Sequence, residues 1–125
     1  MPKPSARSAG ATYLNRAERI VALQAAAARA AAELPSIRRV ILFGSLVSGT
    51  PTPRSDADLL VEVTGSLHSE PRHRVPEVLR AFSPLPCPLD LFVLTTREIE
   101  THQATGARFL EAVLATGLVL FERAG

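Results

Sequence analysis

Aspartate occurs three times in this chain of 125 residues, at Asp56, Asp58 and Asp90, each in or at the head of an apolar, strand-forming run. Strands disfavour aspartate because its short polar side chain competes with the backbone ladder, so turns and helix caps are its ordinary places. Residues two apart on a strand share a face, with Cα atoms roughly 6–7 Å apart, which lets the Asp56 and Asp58 carboxylates converge on a common ion. Asp90, on a neighbouring strand, completes a set of three hard oxygen donors. Crowded carboxylates repel one another, and Mg²⁺ relieves this by taking one or two of them and filling its shell with water and phosphate. Two such ions roughly 3.5–4 Å apart would activate an attacking oxygen and stabilise a leaving one at phosphorus. Any one aspartate alone is more often structural, and Asp56 could cap the turn after Ser55. Rule-breaking residues that occur together mark a functional site. Glu62 shares the face but lies about 13 Å beyond Asp58, and it is expected to be a solvated strand end.

The segment before the first two aspartates offers a partner for them. Val40-Ile-Leu-Phe43 reads as a buried strand that delivers Gly44 and Ser45 into a short helical turn. Free backbone N–H groups and a hydroxyl at such a turn suit a phosphate, and glycine lets a ligand approach the backbone closely. Alone, Gly-Ser after a strand is only a tight turn; its distance from Asp56 gives it meaning.

These residues need a scaffold, and the rest of the pattern supplies one. From Thr12 to Leu34 the chain is rich in helix formers, with Ile20, Leu23, Ala27, Ala30 and Leu34 at helical spacing. Within it Asn15 and Glu18 form a capping-box pair, and Pro35 marks the stop. Gly49, Pro51 and Pro53 limit the stretch from Leu46 to Ser55 to a single helical turn followed by loop. Strand character resumes from Asp56 to Val63. A polar, irregular segment from Gly65 to Pro76, a helix from Glu77 to Phe82 and a connector holding Pro84, Pro86 and Pro88 lead to a third strand, Leu89 to Leu94. Helical composition then runs from Thr95 to Ala115, Gly117 ends it, and Leu118 to Phe121 reads as a last short strand. Strands separated by helices on a chain of this length give an α/β (α+β) domain, a small mixed sheet with packed helices.

Composition narrows the field. A net charge of +2 favours phosphate weakly and does not imply bulk nucleic-acid or membrane binding. The single cysteine, Cys87, cannot form an internal disulfide and is expected to be a packing residue or a bystander. No run approaches the roughly 18 apolar residues of a membrane span. Residues 1–11 read as a loose basic tail before a domain over 12–125, and a cytoplasmic location is expected. His68, Arg72, His73 and Arg74 are expected on a solvated basic loop, and Arg54 as an exposed loop residue.

Gly44-Ser45, ten residues, then Asp56-Ala57-Asp58 match G-S-x10-D-x-D, and the text from Phe43 to Val61 closely resembles the minimal nucleotidyltransferase family of the DNA polymerase β superfamily. Leu89-Asp-Leu-Phe-Val93 resembles that family's third-carboxylate strand, so the likeness spans about residues 37 to 95. It implies a polymerase-β-like fold in which Gly44 and Ser45 bind the triphosphate of ATP and Asp56, Asp58 and Asp90 hold two Mg²⁺ ions. Asp90 would also help activate an acceptor hydroxyl. Minimal members resemble antitoxins that pair with HEPN toxins, some by transferring AMP to a toxin tyrosine, and a HEPN partner is the expectation here. Two alternatives stand beside it: transfer to a small aminoglycoside-like hydroxyl compound, or an antitoxin that acts by contact alone. Arg97 and His102 have the spacing of a HEPN ribonuclease pair, but an arginine-rich chain yields about one such pair by chance, and HEPN domains are all-helical.

Overall fold

In the computed structural model, which describes residues 15–48, 56–66 and 68–123, Asn15 starts the first helix, α1 (Arg16–Glu33). Its side chain accepts from the Glu18 amide at 2.8 Å, and Glu18 Oε1 accepts from the Asn15 amide at 3.0 Å, so two otherwise orphaned donors are satisfied. Leu34 caps the other end, next to Pro35. The expected tail and residues 12–14 lie outside the described residues.

Strand β1 (Ile37–Phe43) begins three residues before the expected run. Arg38 and Arg39 broke the apolar pattern, yet Arg39 stands opposite Glu62 and donates to it at 2.9 Å, so its charge is answered within the sheet. A four-residue helical turn, α2 (Ser45–Ser48), follows Gly44, and β2 (Ala57–Val63) comes after residues 49–55, which lie outside the described residues together with Arg54. A 3₁₀ turn (Pro71–Arg74) runs into α3 (Val75–Phe82), then β3 (Leu89–Thr95). A second capping box, Thr95 with Glu98, starts α4 (Thr96–Ala104). The helical composition after it is two helices: Gly106, at φ +73°, turns the chain between α4 and α5 (Arg108–Thr116). Only glycine takes that conformation without steric cost. β4 (Leu118–Glu122) completes a mixed sheet of order β3-β2-β1-β4, antiparallel except for the parallel β2–β3 pair.

Period-two alternation divides the core between the two faces. Val40, Leu42, Leu59, Val61 and Val93 point to one side and pack with Leu23, Ala27, Ala30 and Phe82 of α1 and α3. Ile41 and Leu60 point to the other and pack with Ile99, Leu110 and Val113 of α4 and α5. Among the described residues no helix is long and apolar enough to cross a membrane.

Two polar expectations are overturned. Arg74 does not sit on a solvated loop: it is buried, donating to both Glu98 carboxylate oxygens at 2.6 and 3.0 Å, to the Val93 carbonyl at 3.0 Å and to the His68 carbonyl at 2.9 Å. It ties the 3₁₀ turn to β3 and α4, while His68, Arg72 and His73 remain exposed as expected. Glu62 is not a solvated strand end: at 4% exposure it accepts from Arg39 and from the Thr96 hydroxyl (2.7 Å), with Arg38 at 3.7 Å.

The Glu98 carboxyl is held down to about 2, chiefly by the Arg74 hydrogen bond, with the Thr95 amide and the guanidinium charge adding to it against the effect of burial. A depressed carboxylate contributes stability that is complete above its unfolded-state value near 4.3 and is lost as pH falls through the folded value. Breaking a fully buried pair costs roughly 3–5 kcal/mol. Glu98 keeps 30% side-chain exposure, so Glu98→Gln is expected to cost less, about 2 kcal/mol at pH 7. Melting curves of both proteins should converge between pH about 4.5 and 2; a constant difference across that window would contradict the assignment.

Candidate active site

Sheet register, more than any loop, assembles the site. Phe43 on β1 faces Asp58 on β2, and Asp58 faces Asp90 on β3, so one row crosses three strands at one end of the sheet. Adjacent strands lie roughly 4.8 Å apart, and register partners in a parallel pair point to the same face. Asp58 and Asp90 are therefore side by side. Asp56 precedes β2 by one residue, where Ala57 donates its N–H to the Pro88 carbonyl at 3.0 Å and closes the ladder at this end.

Gly44 follows Phe43 directly and has φ +83°, in the left-handed region that side chains disfavour. A Cβ built on Gly44 would overlap the Asp58 carboxylate, so the glycine is required both by its own backbone and by the aspartate beside it. The sequence suggested close ligand approach as the reason for a glycine; the nearest group is Asp58. Ser45 starts α2, whose Leu46 is fully buried in the core and whose turn is closed by the Val47 amide donating to the Gly44 carbonyl at 3.0 Å. Arg16 Nε donates to the Leu46 carbonyl at 2.6 Å, pinning this turn to the start of α1. All five residues singled out from the sequence thus meet at one sheet end.

The charge on Asp58 is unbalanced. The Asp58 carboxyl is raised from its ordinary value, first by burial and then by the negative charges of Asp90 and Asp56. No cation is among the groups that act on Asp58. Four residues along the same face of β2, Glu62 has two arginines and a hydroxyl. One end of the strand has its countercharge built in, and the other does not. Hard carboxylates crowded in this way are a donor set that suits a divalent ion with phosphate. As they lie, no three acidic, histidine or cysteine side chains among the described residues close on a single point, so binding an ion requires rotation of exposed carboxylates.

Behind this row, Phe43, Phe92 and Phe109 form a triangle with ring centroids 5.5–5.7 Å apart. Phe92 and Phe109 remain 39% and 49% exposed. The sequence reading passed over this aromatic wall; the i, i+2 step from Asp90 to Phe92 was its only signal. Cys87 is half-buried against the core, as expected of a packing residue. Arg97 and His102 are exposed on α4.

Residues 26–105 match the nucleotidyltransferase domain family, and the chain belongs to it. A crystal structure of a candidate nucleotidyltransferase from Sulfolobus solfataricus superposes with a TM-score of 0.62 at 19% identity, covering 98% of this chain and 93% of that one, and shares its fold. A mutant of the toxin–antitoxin MntA–HpeT aligns with a TM-score of 0.47 at 21% identity over 88% of this chain and 75% of that one, too low to establish a common fold. No curated protein matches the sequence significantly.

Removing the Asp58 charge, which burial and the charges of Asp90 and Asp56 disfavour, relieves repulsion. Asp58→Asn is therefore expected to raise the melting temperature of the ligand-free protein at pH 7 by a few degrees, on the order of 1 kcal/mol or less. Calorimetry that finds the variant markedly less stable would mean that Asp58 has a structural partner.

Proposed function

We propose that this chain transfers AMP from ATP to a hydroxyl acceptor in a magnesium-dependent reaction, and that the acceptor is a tyrosine of a HEPN toxin, which makes the chain an antitoxin. The observation that carries the reading is the pairing of Asp58 with Asp90 beside Gly44, in a chain of the nucleotidyltransferase family. The choice of acceptor rests on the likeness of the text from Phe43 to Val61 to minimal nucleotidyltransferases.

Each residue then has a task. The backbone amides at the start of α2 and the Ser45 hydroxyl, which makes no hydrogen bond to a described residue, donate to the triphosphate. Asp56 and Asp58 hold divalent cations against it, and Asp90 does so from the next strand. When bound, these ions supply neutralisation of the charge that builds on the phosphate oxygens. Asp90, exposed at the edge of the row, accepts the hydrogen bond of the incoming hydroxyl and orients its oxygen toward the α-phosphorus. The O–P bond to the acceptor forms as the bond to the β-phosphate oxygen breaks, and pyrophosphate leaves. Positioning and charge neutralisation carry such reactions, so no further protein base is required.

Mg²⁺ with ATP should raise the melting temperature, whereas ATP with chelator should not, because the carboxylates can face a triphosphate only across a cation. Equal shifts in both conditions would refute the metal role. Asp58→Asn should keep the fold and lose transfer by at least about a hundredfold.

Mixed with a HEPN partner, ATP and Mg²⁺, the chain should add AMP to a partner tyrosine and block RNA cleavage. A phosphate next to a basic cleavage site repels the RNA backbone. The Asp56→Asn, Asp58→Asn double variant should still bind the partner yet leave RNA unprotected. An intact-mass spectrum of unmodified partner with RNA still protected would instead establish neutralisation by contact.

A further inference from the structure

β3 is the edge strand nearest the carboxylates, and a groove of about 600 Å³ runs along it. Four consecutive β3 residues, Leu91 to Leu94, form its floor, with Val75 on one wall and Phe109 and Leu110 on the other. A pocket on one face of a sheet is lined by alternate residues; one lined by a continuous run follows the strand's edge.

The hydrogen-bonding pattern identifies which backbone groups look into it. Pro88 accepts from Ala57 on the β2 side, while Val93 accepts from Arg74 at 3.0 Å on the outer side. Bonding direction alternates along a strand, so Asp90, Phe92 and Leu94 bond to β2, and Leu91 and Val93 face outward. Arg74 occupies the Val93 carbonyl and closes that end of the edge. Outside the β2–β3 ladder, the Leu91 N–H and C=O have no bonding partner among the described residues, although Leu91 is only 7% exposed. Buried backbone groups in that state are rare.

We infer that the acceptor is an extended polypeptide segment that adds to β3 as a fifth strand, seats apolar side chains against Phe92 and Phe109, and presents a hydroxyl beside Asp90. Only a peptide backbone offers the alternating donors and acceptors that match a free strand edge, and apolar side chains at alternate positions suit its walls. The groove is continuous with the candidate active site, since Phe92 lies one step beyond Asp90 on the same face. Its lining has no carboxylate, and the basic groups Arg72 and His102 disfavour a cationic segment. The inference takes its purpose from the transferase reading, but its test is independent of transfer.

The probe is a pool of synthetic heptapeptides with blocked ends, each with a central tyrosine, with Val, Ile, Leu or Phe two positions before and after it and glutamate elsewhere. Amide NMR spectra of the full chain are followed without nucleotide or metal. Binding should shift the Leu91 amide and slow its exchange with solvent. Methylating one alternate set of peptide nitrogens should weaken binding by about tenfold or more while the other set is tolerated, because only one set faces β3. Phe109→Ser should weaken binding by about tenfold, and Asp58→Asn should not. With nucleotide absent, failure here leaves the transferase reading standing, and failure of transfer leaves this result intact. The inference is overturned if no peptide in the pool moves the Leu91 amide, if both methylated sets bind as well as the parent, or if sedimentation shows two copies paired along β3 that peptide does not displace.

Discussion

Asp58 and Asp90 are held at paired positions of adjacent strands, where their charges repel, and folding must overcome that repulsion from elsewhere. The sheet does so by burying apolar side chains on both faces, α1 and α3 on one and α4 and α5 on the other, at roughly 1.5–3 kcal/mol for each large residue fully buried. Leu59, Val61 and Leu60 hold β2 from both sides, and this fixes the register that in turn fixes the two aspartates. A slip of one residue would send every one of these side chains to the wrong face. The backbone positions of the repelling pair are therefore fixed by the core, while the carboxylates themselves can still rotate.

The contrast along β2 separates a structural from a functional reading of its acids. Glu62 and Asp58 share one face of one strand and lie between the same two neighbouring strands. Glu62 meets Arg39, Arg38 and Thr96, which makes it an internal tie between β1, β2 and α4. Asp58 meets Asp90, Asp56 and the open side of Gly44. A carboxylate kept for stability would be expected to have the first environment. The second makes sense when a cation from solution supplies the missing charge.

What could be read from the sequence was what depends on near neighbours. Asn15 with Glu18 marked the α1 start, and the strands carrying Asp58 and Asp90 were visible as β-rich runs beside glycine and proline. What was missed depends on distant partners. Arg74 looked like part of a polar loop because Glu98, 24 residues away, is invisible to local pattern. The first strand was read as starting at Val40, three residues late, because the acid that answers Arg38 and Arg39 is on β2. Gly106 was passed over because both sides of it favour helix, and only its positive φ separates α4 from α5. The candidate site could be singled out because it combines a local signature at Gly44, Ser45, Asp56 and Asp58 with one further aspartate in an unfavourable place.

β3 also shows how one short strand can serve two surfaces without conflict. Side-chain face and bonding direction alternate with the same period along a strand. The residues that bond inward to β2, Asp90 and Phe92, are those whose side chains face the carboxylate row and the aromatic wall. Those whose backbone faces outward, Leu91 and Val93, have their side chains locked in the core beneath α3. Asp90 is thus fixed through its own backbone bonds while its carboxylate remains exposed. The outer edge is held in place by the buried side chains of Leu91 and Val93. Arg74, bonded at once to Val93 and Glu98, ends the free edge one residue past Phe92 and leaves only the half nearest Asp90 open. The unpaired backbone thereby lies next to the carboxylates rather than at the far end of the strand.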